Sequence, residues 1–539
     1  MNMKGCPILL SAICWMLFVC NVPATVFYVD VNSINPVPPF TNWITAATNI
    51  QDAVDAATNG DLVLVTNGIY ATGGRRWFDS GTNRVTLTNS ITLRSVNGPA
   101  VTLIVGSQVV GTGPALVNAV RCVGMGNNAV LSGFTLTNGE GGFGNYPAGG
   151  GVAYIYGAGA GTVTNCILTG NLATNSAGGG AFRVTLINCQ IVGNSAASGG
   201  GACACTLINC TIVSNTATSG GGVFGSTTLG ASVLTNCTIA GNSATNGGGA
   251  YGAALTNCVL IGNSAQNGGG MYQGSANNCL IISNTASVSG GGAHGGTAGA
   301  MLVNSTLVGN AAGSSGGGVY GGTGAWLYNC IAYFNSAPAG TNLIGAKFNN
   351  TCTTPPLTGG SGITNEPVFV NFAAGNFRLQ TNSPCIDAGN NAYVSGGTDL
   401  DGRPRIVGGT VDMGAYEFQG AGMGEFIGWL QQYGLPTDGT ADYADSDGDG
   451  MNNYAEWKAG TIPTDAASVL KLLSPSNSVS GITVTWQSVN TRTYYLQSST
   501  NLPAFTSVQS NLVGQSGSTS FTDITATNGG PYFYRVGVQ

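Results

Sequence analysis

The stretch LTNCTIAGNSATNGGGAYGAALTNCVLIGNSAQNGGGMY, residues 234–272, contains one pattern twice. Each copy has an Asn-Cys pair, a second asparagine five residues after the cysteine, and then a Gly-Gly-Gly triplet. The pair recurs with spacings of 23, 21, 27, 21, 21, 26 and 25 residues, with Asn304-Ser305 in one place. The pairs are Asn165-Cys166, Asn188-Cys189, Asn209-Cys210, Asn236-Cys237, Asn257-Cys258, Asn278-Cys279 and Asn329-Cys330. A repeat of this regularity predicts a solenoid.

The segments within each repeat read as strands. TNCTIAG and TNCVLIG are short, β-branched and alternating, and they are bounded by Gly, Asn and Ser. A 21-residue unit holds about three such strands, which make one coil of a parallel β-helix, with coils stacked roughly 4.8 Å apart. The sequence therefore predicts an all-β protein built on a parallel β-helix solenoid.

The stacking of like residues explains the repeated pattern. We expect the second asparagine of each repeat to form an inward ladder that bonds its own turn and the backbone of neighbouring coils, while the cysteines pack as a buried column. The Gly triplets would supply the positive φ and the small volume that a sharp bend needs. Extra residues within 216–236 and 285–304 would form longer loops at one corner.

The β-helix is expected to extend over residues 25–420. Its N-terminal cap, 25–70, includes a short amphipathic helix from Ile50 to Ala57, a β segment at 62–65 and an Asn-Gly turn at 67–68. A helix there would cover the open apolar end of the solenoid. The repeats occupy 130–345, and a closing module is expected at 360–418.

Three stretches resemble known families. YVDVNS with NIQDAVDAATNGDLVLVTNGIY resembles the start of pectin-lyase-like right-handed β-helix proteins, and the Gly-Gly-Gly/Asn repeats resemble bacterial surface β-helix proteins, including the polymorphic outer-membrane protein repeats. NSPCIDAGNNAYVSGGTDLDGRPRIVGGTVDMGAYE, residues 382–417, resembles the choice-of-anchor Q module that closes such helices. The resemblance implies a right-handed, secreted bacterial β-helix and names no activity.

The N-terminus and the composition indicate where the protein acts. Residues 1–24 combine Lys4, an apolar run of about 13 residues and a Val-Pro-Ala end, which is typical of a cleaved signal peptide. We expect a secreted or cell-surface protein with no transmembrane segment in the mature chain. A net charge of -6 with only 15 Lys and Arg argues against nucleic acid as a partner.

The cysteines allow three interpretations. Of 15 cysteines, three lie in the signal peptide, and seven of the other twelve belong to the repeat column. Export favours disulfides, but parallel side chains in a stack do not automatically reach the required torsion, so we predict buried thiols. A zinc site is less favoured because a linear column is not a tetrahedron and no histidine is near.

A calcium-binding motif follows the β-helix. Residues 421–468 are predicted to form a helix, a loop and a second helix, and DSDGDGMNNYAE within them fits D-x-D-x-D-G-x5-E. Calcium needs six to eight oxygen ligands on a tight loop, and the loop supplies them in the order of an EF-hand. The predicted ligands are Asp445, Asp447, Asp449, the Met451 carbonyl, Asn453 and a bidentate Glu456. The stretch resembles single EF-hand, dockerin-like or thrombospondin type 3-like loops.

Two further predictions concern the C-terminal part. Asp438, Asp442 and Asp465 are candidate ligands of a second ion. Residues 469–539 contain alternating segments about ten residues apart, which predict a small β-sandwich that resembles a fibronectin type III-like module. We expect Trp486 and Tyr534 to be core residues.

The distribution of charge bears on catalysis. Between Gly141 and Ala346 the only charged residue is Arg183, and the single histidine, His294, is expected in a loop without a nearby carboxylate. Acids and arginines cluster instead at the ends of the β-helix, where ion pairs and turn caps explain them.

We therefore predict a non-catalytic scaffold for adhesion or for binding polysaccharide or extracellular matrix, with a calcium-stiffened linker. Candidate stacking residues for sugars are Tyr154, Tyr156, Tyr251, Tyr272 and Tyr320. The alternative is a polysaccharide lyase or glycoside hydrolase whose site lies at an end of the β-helix or on an inserted loop.

Overall fold

The computed structural model describes residues 24–76, 81–109, 118–126, 128–141, 149–155, 160–355, 360–407, 409–419, 423–436, 441, 444–478, 480–500, 504–526 and 531–538. The predicted signal peptide therefore lies almost entirely outside the described residues. The chain divides into two compact units. The first comprises Met1–Leu327, Ala332–Asn349 and Thr353–Gly360, and the second Tyr328–Ile331, Asn350–Cys352 and Ser361–Gln539.

The first unit is a parallel β-solenoid, as the repeat predicts. Corresponding strands of successive coils pair in parallel and in register, as in Thr238↔Val259 and Ile239↔Leu260. Each coil contributes strands to as many as three sheets. The Asn-Cys corners lie between the two strands that a coil gives to the largest sheet, and the corner asparagine is left-handed, as at Asn257 with a φ of 52°.

The strands of the largest sheet in the first unit are Val26–Val29, Leu62–Val65, Gly68–Tyr70, Thr92–Ser95, Thr102–Val105, Val130–Ser132, Thr135–Thr137, Thr162–Thr164, Ile167–Thr169, Thr185–Ile187, Gln190–Val192, Thr206–Ile208, Thr211–Val213, Val233–Thr235, Thr238–Ala240, Ala254–Thr256, Val259–Ile261, Gly274–Asn277, Leu280–Ile282, Ala300–Val303, Thr306–Val308 and Ala325–Tyr333.

The second sheet consists of Arg75–Arg76, Thr82–Leu87, Val120–Met125, Val152–Tyr154, Ala181–Phe182, Ala202–Cys203, Val223–Phe224, Ala250–Tyr251, Met271–Tyr272, Ala293–His294, Val319–Tyr320 and Leu343–Ile344. The third consists of Glu140–Gly141, Leu172–Ala177, Ser195–Ser198, Thr216–Ser219, Ser243–Asn246, Ser264–Asn267, Thr285–Ser289 and Ala311–Ala312.

The predicted asparagine ladder is confirmed. Its members are Asn171, Asn194, Asn215, Asn242, Asn263, Asn284, Asn310 and Asn335, all buried. The backbone N–H and the Nδ2 of Asn242 both donate to Oδ1 of Asn263, each at 2.9 Å. The Nδ2 of Asn263 also donates to the Ile239 carbonyl at 2.9 Å. The ladder thus satisfies backbone groups at a corner where the sheet hydrogen bonds are interrupted.

The Gly triplet is required by close contact as well as by conformation. Gly247 has a φ of 66°. A Cβ added to Gly248 would lie 2.4 Å from the Ser264 carbonyl oxygen, and one added to Gly249 would lie 2.6 Å from the Gly270 oxygen. Only the first glycine of this triplet needs the left-handed region, and the other two allow the next coil to approach.

The repeat cysteines form a buried column, as expected. Cys237 is 2% exposed. Its Sγ lies 3.3 Å from the Thr235 carbonyl oxygen and 3.5 Å from the Leu207 carbonyl oxygen, and the single S–H is shared between these two acceptors. Burial raises the pKa of the Cys166 thiol to about 12.

The N-terminal cap contains the predicted helix, which spans Ile50–Ala56. Ile50, Ala53, Val54 and Ala57 are at most 4% exposed, so the predicted apolar face is buried. Asn49 caps the helix by accepting from the Asp52 N–H at 3.0 Å. A 3₁₀ turn, Trp43–Thr45, precedes it.

The second unit contains the predicted closing module, the calcium-loop segment and two small antiparallel sheets. Its helical elements are Asn391–Tyr393 (3₁₀), Met423–Gln432 and Asn453–Ala459. Phe369–Asn371 pairs with Asn376–Leu379, and Gly362–Ile363 pairs in parallel with Thr351 and Cys352 of strand Lys347–Thr353. One C-terminal sheet has the order Ser476–Ser478, Gly481–Ser488, Gly517–Asp523, and the other Thr506–Val513, Thr493–Ser499, Phe533–Val538.

The C-terminal sheets enclose an aromatic core. Trp486 and Tyr494 are fully buried with ring centroids 5.9 Å apart. The hydroxyl of the half-buried Tyr534 donates to Asp523 at 2.9 Å. Both aromatic residues predicted for the core, Trp486 and Tyr534, therefore pack within this unit. None of the helices in the described ranges is long and apolar enough to cross a bilayer.

Candidate functional site

A groove of about 1000 Å³ lies on the first unit. Its position follows from the lengths of the coils. The Cys237 and Cys258 coils are 21 residues long, whereas the intervals that precede and follow them, 210–237 and 279–305, have 27 and 26 residues. The longer coils carry loops, so two short coils form the floor between two raised walls. The lining residues are Phe224, Gly225, Ser226, Thr227, Gly230, Ala231, Tyr251, Gly252, Gln273, Gly274, Ser275, Thr297, Ala298, Gly299, Ala300, Met301, Thr323, Gly324 and Trp326.

Hydrogen bonds fix both walls. On one side, Ser226 and Gly230 exchange backbone hydrogen bonds of 2.9 and 3.0 Å. On the other, the Gly299 N–H donates to the Gly295 carbonyl at 2.8 Å, and the Thr323 hydroxyl donates to the Gly296 carbonyl at 2.9 Å. These bonds stabilise the loops that form the two walls.

Gln273 joins the floor to the second wall. With its amide oriented to satisfy its neighbours, its side-chain oxygen accepts from the backbone N–H groups of Thr297 at 2.9 Å and Ala298 at 3.2 Å. Gln273 is 9% exposed. The hydrogen bonds of its amide therefore hold the second wall against the floor.

A continuous stack of rings includes two residues of the groove lining, Phe224 and Tyr251. Phe224, Tyr251, Tyr272, His294 and Tyr320 occupy equivalent positions of successive coils, with centroids 4.7–5.1 Å apart and interplanar angles of 16–29°. Both faces of Tyr251 and of Tyr272 are covered by neighbouring rings. The expectation that these tyrosines offer their faces to sugars is therefore wrong, because in-register stacking turns the rings toward each other.

The other tyrosines proposed for stacking on sugars are Tyr320, Tyr154 and Tyr156. Tyr320 has one face covered by His294. Tyr154 lines a separate pocket of about 280 Å³ that also contains Arg183. Tyr156 lies outside the described residues.

His294 is a structural member of the stack. It lies in strand Ala293–His294 rather than in the predicted loop. Its Nδ1 accepts from the Gly296 N–H at 2.8 Å, and burial lowers its pKa to about 4. The ring is therefore neutral at ordinary pH and held between Tyr272 and Tyr320.

Trp326 is the exposed aromatic residue of the groove lining, at 39%. The Lys347 Nζ lies 4.6 Å from its ring centroid. Sequence reasoning missed Trp326, Phe224 and Gln273 as site residues. The signal that could have found them is the pair of 21-residue coils between longer ones, which predicts a notch.

The charged residues of the closing module form a buried network. Carboxylate oxygens of Asp399, Asp412 and Glu417 accept from backbone N–H groups at 2.5–3.0 Å, and Arg405 donates to the carbonyls of Asp412 and Gly414. Burial raises the pKa of Asp412 to about 6 and that of Glu417 to about 8, the latter with a contribution from Asp412. These contacts support the interpretation that the cluster holds irregular loops together.

Three acidic residues of the predicted calcium loop lie close together in the second unit. Ligand atoms of Asp445, Asp447 and Asp449 all lie within 4.8 Å of one another. Asp445 accepts from the Gly448 and Gly450 N–H groups at 2.7 and 2.9 Å. Gly450, with a φ of 96°, makes the sharp turn that the motif requires at this position.

Four side-chain oxygens of this loop are buried without a hydrogen-bond partner in the described part of the chain. They are Asp447 Oδ2, Asp449 Oδ2, Asn453 Oδ1 and Glu456 Oε2. Burial raises the pKa of Glu456 to about 7, with further contributions from Asp447 and Asp449. Buried acceptors without donors fit a cation, because leaving them unsatisfied is costly.

Glu456 lies outside the 4.8 Å cluster, as a ligand on the far side of a bound ion would. Oxygens on opposite sides of a calcium ion are separated by about 5 Å, twice the ligand distance. Asn453 is fully buried, and its Nδ2 donates to the Ala441 carbonyl at 2.6 Å. The Met451 N–H donates to Asp449 at 2.7 Å. Of the candidates for a second ion, Asp465 caps the Ala467 N–H at 3.1 Å, and Asp438 and Asp442 lie outside the described residues.

No protein-family model and no curated protein sequence matches this chain significantly. Among solved structures, a pectate lyase matches 73% of this chain and 96% of its own, with a TM-score of 0.42 and 16% identity. A rhamnogalacturonan lyase matches 67% of this chain and 97% of its own, with a TM-score of 0.37 and 12% identity. A protein of Geobacillus virus E2 matches 64% of this chain and 62% of its own, with a TM-score of 0.26 and 13% identity.

Proposed function

We propose that this protein is a secreted or cell-surface β-helix scaffold that binds polysaccharide in the groove of its first unit without cleaving it. The observation that carries this proposal is the composition of the lining. Among the described residues that line the groove there is no Asp, Glu, His, Lys or Arg. A groove of this size without carboxylate, imidazole, amine or guanidinium groups suits recognition rather than catalysis.

The absence of such groups from the lining matters because lyases and hydrolases transfer protons. A general acid or base must reach the reacting atom within hydrogen-bond distance. Tyr251 is the one titratable side chain of the lining, and its ring is held within the stack. His294 keeps its Nδ1 in a hydrogen bond to Gly296.

The groove offers groups suited to carbohydrate. Its lining carries the hydroxyls of Ser226, Thr227, Ser275 and Thr297 and the exposed indole of Trp326. Hydroxyls bond to sugar hydroxyls, and an indole provides an apolar surface with one polar N–H. A concave site with a few placed polar groups is the usual form of a ligand site.

The test combines binding and turnover on the full-length chain. We expect retention by at least one polysaccharide in affinity electrophoresis, with no new reducing ends and no unsaturated product after long incubation. Clear turnover that a single acid or arginine substitution abolishes would overturn the proposal and favour a lyase or hydrolase with a site elsewhere on the β-helix.

We also propose that the loop at 445–456 binds calcium and stiffens the C-terminal part of the second unit. The helix Asn453–Ala459 is joined to the C-terminal sheets by Arg492, which donates to the carbonyls of Lys458 at 2.9 Å and Trp457 at 3.0 Å. The Leu470 N–H donates to Met451 Sδ at 3.3 Å. Ordering the loop would therefore order its attachment to the sheets.

Isothermal titration calorimetry of the full-length protein with calcium tests this second proposal. We expect saturable binding that Asp447→Asn weakens strongly. Export through residues 1–24 is part of the same proposal, because extracellular calcium would keep even a weak site filled. The absence of any heat of binding, together with an unchanged unfolding temperature in calcium, would contradict the calcium site.

A further inference from the structure

We infer that the groove selects an uncharged polysaccharide, which binds over the two short coils. This inference rests on the proposed binding function and adds to it the charge class of the ligand and its position on the floor of the groove. Three features of the groove carry it: the position of its walls, the absence of charge from its lining, and the way neighbouring cations are used.

The walls define the floor. The loop at 225–231 and the loop at 295–299 belong to coils three steps apart, or about 14 Å along the solenoid axis. Between them, the short coils contribute Gly252 and Gln273–Ser275 to the floor. The lining continues beside the second loop through Met301, the register neighbour of Ser275, to Trp326.

The lining has no charge to match an acidic polymer. A uronate chain carries a carboxylate on each residue, and each carboxylate that enters the groove would lose water without gaining a cation. The protein's net charge of -6 adds an unfavourable long-range contribution. The hydroxyls of a neutral sugar cost less free energy to remove from water than a carboxylate does. Ser and Thr hydroxyls of the groove then replace the water molecules that the sugar loses.

Two cations near the groove are engaged by the protein itself. The Arg183 Nε donates to the Leu229 carbonyl, behind one wall, at 2.9 Å, and its guanidinium lies 5.1 Å from the Phe182 ring centroid. Lys347 lies over the Trp326 ring on the other side. Neither belongs to the lining residues. Arg183 is thus engaged by a carbonyl of one wall, and Lys347 is engaged by the indole of Trp326.

The floor offers a position for a decisive substitution. Ser275 lies on strand Gly274–Asn277 and is half-buried, with its side chain in the lining. Ser275→Trp would fill the floor where the polysaccharide is inferred to bind. Ser264 is an exposed serine of the same coil on a different sheet, in strand Ser264–Asn267, and Ser264→Trp adds the same side chain away from the groove.

The experiment measures binding of full-length protein to soluble neutral polysaccharides (a xyloglucan, a galactomannan and an α-glucan) and to acidic ones (polygalacturonate and alginate). We expect a neutral ligand to bind, with an affinity that changes less than about twofold between low and high salt. Ser275→Trp should weaken that binding at least about tenfold, a typical loss at a central contact. Ser264→Trp should leave it unchanged, and Trp326→Ala, a milder change, should weaken it if Ser275→Trp fails to fold.

Each outcome has a distinct meaning. Tighter, salt-sensitive binding of an acidic polysaccharide that Ser275→Trp abolishes would overturn the inference of an uncharged ligand and leave polysaccharide binding intact. Neutral binding that neither Ser275→Trp nor Trp326→Ala affects would overturn the assignment to this groove. If no polysaccharide binds, the inference and the proposed function both fail.

Discussion

The imidazole of His294 stacks on the ring of Tyr272 with centroids 4.8 Å apart and planes 16° apart. The next ring, Tyr320, lies 4.7 Å from His294 on the other side. A histidine thus occupies a position that aromatic residues fill in the adjacent coils. Because its Nδ1 accepts a backbone hydrogen bond from Gly296, the stack holds the neutral form.

This arrangement predicts how stability depends on pH. The pKa of His294 is about 4 in the folded protein, below its ordinary value of 6.5. The unfolded chain therefore binds a proton that the folded chain rejects between pH 6.5 and 4, and stability falls as the pH is lowered through that window. The loss of stability caused by this group reaches up to about 3 kcal/mol at the acid end of the window, and it is absent above pH 6.5.

His294→Phe keeps a ring in the stack and removes the titration. We expect the variant to lose less stability than the wild type between pH 6.5 and 4, as measured by urea unfolding at several pH values. Tyr320→Phe is the matched control and should retain the wild-type dependence. Parallel pH profiles for His294→Phe and the wild type would contradict the prediction.

Removal of one asparagine from the ladder should destabilise the solenoid. In Asn263→Ala the Asn242 N–H and the Ile239 carbonyl lose their bonds to Asn263 while remaining buried. Two orphaned backbone groups imply a loss of about 2–5 kcal/mol in the free energy of unfolding. Gln266→Ala, at an exposed position of the same coil, should change it by less than about 0.5 kcal/mol. Similar losses in both variants, by chemical denaturation, would contradict a special role for the ladder.

The buried cysteines should remain thiols. Burial raises the pKa of Cys122 and of Cys166 to about 12, which suppresses the reactive thiolate in the folded protein. We expect the twelve cysteines from Cys122 to Cys385 to be unreactive toward a thiol reagent in the native protein and fully reactive in denaturant without reductant. A titre near zero in denaturant without reductant would show that they form disulfides.

Substitution of Glu456 should have opposite effects on the stability of the second unit with and without calcium. Its buried carboxylate faces Asp447 and Asp449, and its pKa is raised to about 7. In chelator at pH 8, Glu456→Gln should therefore raise the unfolding temperature of the second unit, because it removes a buried like charge. With calcium, the variant should gain much less stability than the wild type, since a bidentate ligand is lost.

Scanning calorimetry in chelator and in calcium measures both effects. Glu366→Gln, at an exposed acid of the same unit, is the control and should respond to calcium as the wild type does. An equal response of Glu456→Gln and the wild type to calcium would exclude Glu456 as a ligand.

Much of the fold could be predicted from periodicity alone. Identical spacing places Asn242 above Asn263 and Cys237 above Cys258 in any stacked solenoid, and local geometry then fixes their roles. The clustering of Asp445, Asp447 and Asp449 could be predicted as well, because they are close in sequence and the tight turn brings them together. Asn342, which accepts from Asn335 at 3.0 Å and ends the ladder, breaks the spacing and was missed.

The sequence by itself determined the solenoid, its buried columns and the acidic loop, because each depends on residues that are neighbours in the chain or one repeat apart. Only the tertiary structure decided that Tyr251 and Tyr272 face each other rather than solvent, and that loops at 225–231 and 295–299 enclose two short coils. Those features depend on which side of the coil a loop leaves and how rings turn in register. Such orientations arise from stacking in space, which spacing along the chain does not specify.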